Sequence, residues 1–216
     1  MATKVWGVNS SEKVTEALLR CVKRNFGYPK FWGRVLSQVE GLSEGLTTQE
    51  IQLIHERSIK VMPIFKSDEV PEGFDKGRVF ARNALYHARR LSIPKDTAIF
   101  VDVHRFMDVD EAFVYGWIDS IISTGYIPGF LNDSTKGQFS ESYCRAVKKK
   151  RQIATQSILW SAEPEIGTSQ EKTAPNFTPH SPPCKANIWA WQYGRETGVC
   201  QVNTVLADRK LLPFLY

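Results

Sequence analysis

The stretch Ala98-Ile99-Phe100-Val101-Asp102-Val103-His104 predicts the fold more clearly than any other part of the chain. Its apolar run is typical of a buried parallel strand. Because alternate side chains of a strand share a face, Phe100, Asp102 and His104 face one way and the aliphatic residues face the other. We expect the aliphatic face to pack against outer helices. Asp102 and His104 would then point into a barrel at the C-terminal ends of its strands, where β/α barrels keep their active sites.

Similar apolar runs alternate with amphipathic helical stretches on both sides of this strand, a pattern typical of parallel β/α architecture. The chain of 216 residues is therefore predicted to be one α/β domain, 1–216, folded as a single TIM-like (β/α) barrel. Strands are predicted in the runs 5–8, 31–36, 61–65, 98–104, 126–131, 157–162 and 188–193. The pattern weakens near the end of the chain and leaves open an irregular or incomplete final third.

Two connecting segments carry local signals. Thr47-Thr48-Gln49-Glu50 has the pattern of a capping box, in which the Thr47 hydroxyl and the Glu50 carboxylate each accept a free backbone N–H. The segment from Glu163 to Lys185 is rich in Pro, Ser and Thr and has no helical pattern. Connections of that length are uncommon in compact domains and are usually functional or disordered.

Composition limits the range of partners. The formal net charge is +5, from 28 basic and 23 acidic residues, and the densest basic run, 148–151, fits a solvated helix end. No long basic stripe with interleaved aromatics is present, so no nucleic-acid partner is expected. No apolar run approaches the length of a membrane span. No signal-peptide pattern precedes the first strand, so a cytoplasmic location is the default, with export by another route left open.

Four cysteines are present without paired metal-ligand spacing. Cys21 and Cys144 fall on the apolar faces of predicted helices, where free buried thiols are common. Cys184 and Cys200 flank a predicted strand and could approach each other. The sequence leaves two alternatives open, a disulfide between Cys184 and Cys200 or an unpaired state for all four cysteines.

Asp102 and His104 carry the strongest chemical signal. Two residues apart on a strand, they are separated by about 6–7 Å, a useful distance for two groups acting on opposite sides of one bond. Other carboxylates that strand ends could bring to the rim are Asp68, Asp133 and Glu163. Glu163 shares a strand face with Leu159 and Ser161, so it could point inward as an acid. A role as the first residue of a loop, before a proline, is the alternative.

The chain resembles the glycoside-hydrolase-like family formerly described as a domain of unknown function, and more distantly the phage and bacterial muramidases that cleave peptidoglycan. The resemblance runs over nearly the whole length. It rests on the stretches Trp6-Gly7-Val8-Asn9-Ser10, Gly27-Tyr28-Pro29-Lys30-Phe31-Trp32-Gly33-Arg34, Val61-Met62-Pro63-Ile64, Ala88-Arg89-Arg90-Leu91-Ser92-Ile93-Pro94, the Asp102 strand, Trp189-Ala190-Trp191-Gln192-Tyr193-Gly194, Val202-Asn203-Thr204 and Ala207-Asp208. It implies a TIM-like barrel of bacterial type that acts on or binds a glycan related to the peptidoglycan of the cell wall.

Three carboxylates that the resemblance implies are replaced in this chain. Asn9 stands where the muramidases have an Asp on the first strand, His104 where they have the proton-donating Glu, and Asn203 where a further Asp follows the last strand. Glycoside hydrolysis normally uses two carboxyl groups about 5–9.5 Å apart. If the protein is a hydrolase, Asp102 would be nucleophile, base or electrostatic stabiliser, and His104 or Glu163 the acid. The alternative is an inactive barrel module that binds saccharide or protein.

The remaining candidate residues are substrate-binding ones. Trp6, Trp191 and Tyr193 could form a sugar-stacking wall, although at least two of these rings are expected in the core. The rest of the predicted binding set is Asn9, Asp68, Gln192 and Asn203. A metal site built from Asp102, His104 and His180 is a weaker hypothesis, because the His spacing typical of such sites is missing. No cofactor is expected.

Overall fold

The computed structural model describes residues 3–41, 43–196 and 198–216, and within them eight strands close into one barrel in chain order. The strands are β1 Lys4–Ser10, β2 Phe31–Val35, β3 Lys60–Phe65, β4 Ala98–Asp102, β5 Ile127–Asn132, β6 Ile158–Ala162, β7 Ile188–Gly194 and β8 Asn203–Asp208. The helices are α1 Glu16–Asn25, α2 Thr48–Glu56, α3 Phe74–Arg90, α4 Glu111–Ile122, α5 Phe139–Lys149 and α6 Ile153–Gln156. The predicted single α/β barrel is confirmed. No helix in the described ranges is long and apolar enough to cross a membrane.

The eighth strand was not among the predicted strands. β1 to β7 pair in parallel with their sequence neighbours, whereas β8 runs antiparallel to both β7 and β1. The described residues of the 195–202 connection between β7 and β8 form no helix, so the strand–helix alternation that reveals the other strands is absent there. Register shifts occur at Leu159/Trp160 and at Gln192/Gly194. The final third is therefore irregular, but the barrel is closed.

The apolar residues form two layers, one inside the barrel and one between the strands and the outer elements. Phe100 belongs to the inner cluster, and Ile99, Val101 and Val103 belong to the outer one. The predicted orientation of the Ala98–His104 strand is thus confirmed. Because Asp102 follows Phe100 by two residues, it faces the interior at the C-terminal end of β4.

A buried ion pair fixes the loops around the C-terminal end of β1. Arg34 Nε lies 2.5 Å from Glu50 Oε1, and both side chains are fully buried. The Arg34 guanidinium also donates to the carbonyl oxygens of Ser10 and Ser11, at 3.0 Å each. Removing one partner of such a pair leaves an uncompensated buried charge, which typically costs about 3–5 kcal/mol.

The capping-box prediction is therefore only half right. The Thr47 hydroxyl accepts a hydrogen bond from Glu50 N at 3.2 Å, as expected. The Glu50 carboxylate accepts from Val14 N at 2.9 Å and pairs with Arg34 instead of capping its own helix. A buried arginine on the neighbouring strand competes for that carboxylate more strongly than a backbone N–H does.

The cysteine predictions were wrong. Cys21 of α1 is bonded to Cys200 before β8, and Cys144 of α5 is bonded to Cys184 in the 163–187 connection. No cysteine is free. The helical cysteines lie at the edges of the apolar faces, where Cys21 and Cys144 are only partly buried and can reach the C-terminal loops. Both bonds tie the irregular final third to a regular outer helix.

The long connection between β6 and β7 lies against the barrel and takes the place of a helix. Its only helical piece is a 3₁₀ turn, Glu171–Thr173, within the described residues. Glu171 N donates to Phe26 O at 2.7 Å, and the Phe177 ring packs edge-on against Trp191 at 6.2 Å. With Cys184 bonded to α5, the segment is held at several points along its length.

Candidate functional site

A groove of about 470 Å³ opens at the C-terminal ends of the strands, and we call it the strand-end groove. It is lined by Asn9, Ser10, Ser11, Glu12, Val35, Ile64, Lys66, Asp102, His104, Arg105, Leu131, Gln192, Arg195, Glu196, Gln201 and Asn203. Because β8 is antiparallel, its first residue, Asn203, lies at the same end of the barrel as the last residues of the parallel strands. Five predicted site residues are thus brought together: Asp102, His104, Asn9, Gln192 and Asn203.

Asp102 and His104 form one hydrogen-bonded pair instead of two opposed groups. His104 Nδ1 lies 2.5 Å from Asp102 Oδ1, so the expected gap of about 6–7 Å is wrong for the side chains. The reason is that the chain leaves the strand after Asp102, which lets the imidazole fold back. The His104 side chain is 28% exposed and the Asp102 side chain 5% exposed. The pair thus presents the imidazole to the groove and holds the carboxylate at its floor.

Asp102 is held as a carboxylate. Burial alone would raise its pKa, but the charge and the hydrogen bond of His104 lower it, and Lys66 and Arg105 lower it further. The balance leaves the pKa of Asp102 below its usual range. At neutral pH this group is therefore a hydrogen-bond acceptor and a negative charge, and it has no proton to donate.

Asn9 and Gln192 form a second polar pair on the floor. Asn9 Nδ2 donates to Gln192 Oε1 at 3.1 Å, and both side chains are buried. A Cβ on Gly33 would lie 2.7 Å from Asn9 Cβ, so glycine there leaves room for the asparagine. Within the described part of the chain, Asn9 Oδ1 has no hydrogen-bond partner. An unpaired buried acceptor is costly unless a ligand or water donates to it.

The rim of the groove carries charges that the sequence reasoning missed. Lys66, Arg105 and Arg195 stand beside Glu12 and Glu196. Each follows a strand end by a few residues, and that position is the signal that could have identified them. Arg105 is oriented by a hydrogen bond from Nη2 to Ser67 O and lies over the Phe106 ring at 4.9 Å.

Glu163 does not reach the groove. Leu159, which shares a strand face with Glu163, packs in the outer cluster, whereas Ile158, Trp160 and Ala162 fill the barrel. The face that carries Glu163 therefore points outward. The carboxylate is 5% exposed and accepts from His180 N at 3.0 and 3.1 Å, with His180 Nδ1 at 2.7 Å. It also accepts a hydrogen bond from Ser161 Oγ. The inward prediction was wrong, because the strand face it shares belongs to the outer layer.

The expected aromatic wall is buried in the same outer layer. Trp6, Trp191 and Tyr193 are at most 3% exposed. Trp6 Nε1 donates to Tyr193 Oη at 3.0 Å, and the Trp191 and Tyr193 rings lie 5.7 Å apart. The alternate residues of β7, Ala190 and Gln192, face inward, so these rings face away from the groove.

The two remaining rim carboxylates are also absent from the groove lining. Asp68 lies in the loop after β3, outside the groove. Asp133 Oδ1 accepts from Thr135 N at 2.8 Å and from its hydroxyl at 2.6 Å, which closes a local turn. Among the described residues of the groove, Asp102 is the one buried carboxylate.

The described residues contain no cluster of three or more His, Cys, Asp or Glu side chains that could hold a metal ion. The alternative of Asp102, His104 and His180 as ligands was wrong, because His180 is exposed, is paired with Glu163 and does not line the strand-end groove. The described lining of the groove consists of amides, hydroxyls, charges and a few aliphatic side chains.

Comparison with solved structures defines the class of the fold. A family GH25 lysozyme from Aspergillus fumigatus matches with a TM-score of 0.60 at 8% identity, over 98% of this chain and 99% of that one. The modular autolysin of Streptococcus pneumoniae, solved with a synthetic peptidoglycan ligand, matches with a TM-score of 0.53 at 11% identity, over 94% of this chain and 46% of that one. The protein therefore has a glycoside-hydrolase-like barrel fold related to that of the muramidases.

A third structure shows the family. An uncharacterized protein from B. stearothermophilus is 49% identical, with a TM-score of 0.96 over 98% of this chain and 100% of that one. The chain belongs to the same family as that protein. No protein-family model matches the chain, and no curated protein matches it.

Proposed function

We propose that the protein binds a glycan related to peptidoglycan in the strand-end groove. The observation that carries this proposal is the polar floor at the strand ends, where Asp102–His104 and Asn9–Gln192 lie side by side in one groove. Sugar hydroxyls both donate and accept hydrogen bonds. The floor supplies a carboxylate and the free Asn9 carbonyl oxygen as acceptors, and the imidazole as a further polar contact. The relation of the fold to muramidases, and to an autolysin solved with a peptidoglycan ligand, supports the choice of glycan.

The shortage of carboxylates favours binding over hydrolysis. In the described groove lining, only Asp102 is a buried carboxylate, and Glu12 and Glu196 are exposed on the rim. Both usual mechanisms need a second carboxyl group across the scissile bond. His104, Asn9 and Asn203 stand where the resemblance implies carboxylates. The groove therefore has a hydrogen-bonding floor but lacks the pair of carboxyl groups that hydrolysis uses.

Hydrolysis is a second candidate because of one contact. The hydrogen bond to Asp102 orients the imidazole of His104 in the groove, where the ring could act as the proton donor to a leaving oxygen. Asp102 would then stabilise positive charge developing on the sugar ring. In this mechanism, His104 is the acid and Asp102 the electrostatic stabiliser.

The two disulfides favour a location in an oxidising compartment over the cytoplasmic default. Disulfides form and persist outside the cytoplasm and are rare within it. A site of action at the cell wall is consistent with this. The measurement is the thiol content of the protein isolated under alkylating conditions, which should be zero.

Sedimentation with purified bacterial cell walls, with turbidity followed in the same tube, tests the proposal. We expect the protein to sediment with walls without clearing them, and Asp102→Asn to lower the bound fraction. Asp68→Asn, a matched change of a strand-end aspartate outside the groove, should leave binding unchanged. Failure of the wild-type protein to sediment would overturn the proposal. Clearing that is lost in His104→Gln would establish the hydrolytic candidate instead.

A further inference from the structure

A second groove lies on the outer face of the barrel, between α3 and α4, and we call it the helix groove. Its volume is about 740 Å³. Four arginines of α3 line one wall: Arg78, Arg82, Arg89 and Arg90. Hydroxyl side chains near the end of α4, those of Ser120, Ser123 and Thr124, line the other. The helix groove shares no residue with the strand-end groove.

The helix groove owes its position to a glycine contact. A Cβ on Gly116 would lie 2.1 Å from Phe74 O, and a Cβ on Gly77 would lie 2.5 Å from Phe113 O. The two backbones therefore touch near the start of α3. The groove opens beyond this contact, along the C-terminal half of α3 and past the end of α4. It is formed by the packed helices α3 and α4 together with the turn that follows α4.

Three of the four arginines of the groove form no ion pair within the described residues. Arg78 has a partner, Asp75, at 3.5 Å. Arg82, Arg89 and Arg90 are exposed, and none of them forms an ion pair within the described residues. Steps of seven and eight residues, about two helical turns, place Arg89 and Arg90 near the helix face of Arg82. Asp119 is the only carboxylate in the described lining.

An adjoining groove of about 610 Å³ extends the basic surface. It shares Tyr86 and Arg90 with the helix groove and continues to Thr47 and Thr48 at the start of α2. The N-terminal end of a helix adds a partial positive charge to such a surface. Burial and then the charge of Arg90 lower the pKa of His87 beside it, as expected next to an unpaired cation. The two grooves together form a long, open track instead of a closed pocket.

We propose that this track binds a linear phosphodiester polymer that carries no bases. Arginine presents a planar fork of N–H donors that matches phosphate geometry. The unpaired arginines span about two turns of helix, roughly 11 Å, so a ligand that meets them all needs closely spaced negative charges. A phosphodiester chain has that spacing, whereas a polysaccharide with one carboxylate per disaccharide does not. Nucleic acid fits less well, because the described lining offers only two aromatic rings, Tyr86 and His87, which lie edge-on to each other, whereas successive bases need stacking platforms.

Fluorescence anisotropy with a labelled synthetic poly(glycerol phosphate) tests this proposal. We expect binding that weakens steeply between about 50 and 200 mM salt. The triple variant Arg82→Gln, Arg89→Gln, Arg90→Gln should bind at least about tenfold more weakly. Its slope of log affinity against log salt should fall by about 2–3, or about one for each arginine that no longer binds a phosphate. The exposed triple Lys148→Gln, Lys150→Gln, Arg151→Gln makes the same change in net charge elsewhere and should bind as the wild type does.

Three outcomes would overturn the proposal. They are absence of binding at low salt, an equal weakening of binding in the two triple variants, and single-stranded DNA of equal charge binding about tenfold more tightly than the polymer. The variants change exposed side chains only, and circular dichroism will verify that both are folded. The wild-type salt slope gives a measurement that does not depend on any variant.

Discussion

Two carboxylate–histidine pairs in this protein share the same chemistry and serve different parts of the molecule. In both pairs the carboxylate side chain is 5% exposed and lies within hydrogen-bond distance of an imidazole Nδ1. Asp102–His104 stands at the floor of the strand-end groove. Glu163–His180 lies on the outer side of β6 and fastens the 163–187 connection. The difference follows from the alternation of side chains along a strand, which directs Asp102 into the barrel and Glu163 away from it.

The comparison shows that a buried acid beside a histidine does not by itself define a functional site. The Glu163 pair satisfies a backbone N–H and holds a loop, which is a structural role. The Asp102 pair lies beside an unpaired acceptor, Asn9 Oδ1, in a groove lined by charged side chains. We therefore expect changes at the Glu163 pair to affect stability and changes at the Asp102 pair to affect ligand binding.

The largest effect is expected from the disulfide that anchors the 163–187 connection. The double change Cys144→Ser, Cys184→Ser opens a bond across 40 residues and should lower the free energy of unfolding by about 4 kcal/mol. Denaturation in urea measures it. Glycan binding by the folded fraction should persist, and its disappearance would show that the connection and the strand-end groove are not separate.

Glu163→Ala should have the next largest effect. It removes the carboxylate that accepts from His180 N and Ser161 Oγ and contacts the His180 ring, and so leaves the buried Ser161 hydroxyl and the partly buried His180 N without that partner. We expect a decrease of about 2–3 kcal/mol in the free energy of unfolding. The conservative Glu163→Gln should recover part of it. Unchanged stability in Glu163→Ala would contradict the structural role of this pair.

Asn9→Ala should weaken glycan binding by about tenfold, or about 1.4 kcal/mol, because it removes the free carbonyl acceptor from the groove floor. Asn83→Ala, a change of an exposed asparagine on α3, is the matched control. Isothermal titration with a soluble peptidoglycan glycan fragment measures both. Equal affinities of the two variants would exclude Asn9 from the binding site.

The smallest expected effect is a difference between the Glu163–His180 and Asp102–His104 pairs in how their contributions to stability depend on pH. The hydrogen bond and the charge of Glu163 raise the pKa of His180, so its contribution to stability is complete below about pH 6.5 and is lost as pH rises through the raised pKa. The pKa of Asp102 is lowered, so its contribution is present above about pH 3.9 and is lost as pH falls through the lowered pKa.

Hydrogen exchange resolved along the chain can separate the two. We expect exchange in 163–187, corrected for its intrinsic pH dependence, to speed up as pH rises through the raised pKa of His180 in the wild type but not in Glu163→Gln. The corrected exchange rate of the residues near Asp102 should rise only at acidic pH. A 163–187 connection whose corrected exchange is independent of pH in both proteins would contradict this assignment.

Strand periodicity in the sequence was sufficient for the barrel and for the inward direction of Asp102. Periodicity shows which residues share a strand face, but it does not show which of the two faces points into the barrel. Glu163 and Trp191 were placed on the right strand faces, but which face is inner depends on the packing of the whole barrel. β8 was not predicted because the described residues of the 195–202 connection before it form no helix. The disulfides depend on the path of the long connection, which no local pattern encodes.

Binding of a soluble peptidoglycan glycan fragment to Asp102→Asn and to Glu163→Gln, measured side by side by isothermal titration, decides whether the two pairs differ in function. Each variant exchanges a buried carboxylate beside a histidine for its amide. We expect Asp102→Asn to bind at least about tenfold more weakly than the wild type, and Glu163→Gln to bind with wild-type affinity. Equal affinities of the two variants, or a weakening confined to Glu163→Gln, would contradict the assignment of the strand-end groove as the glycan site.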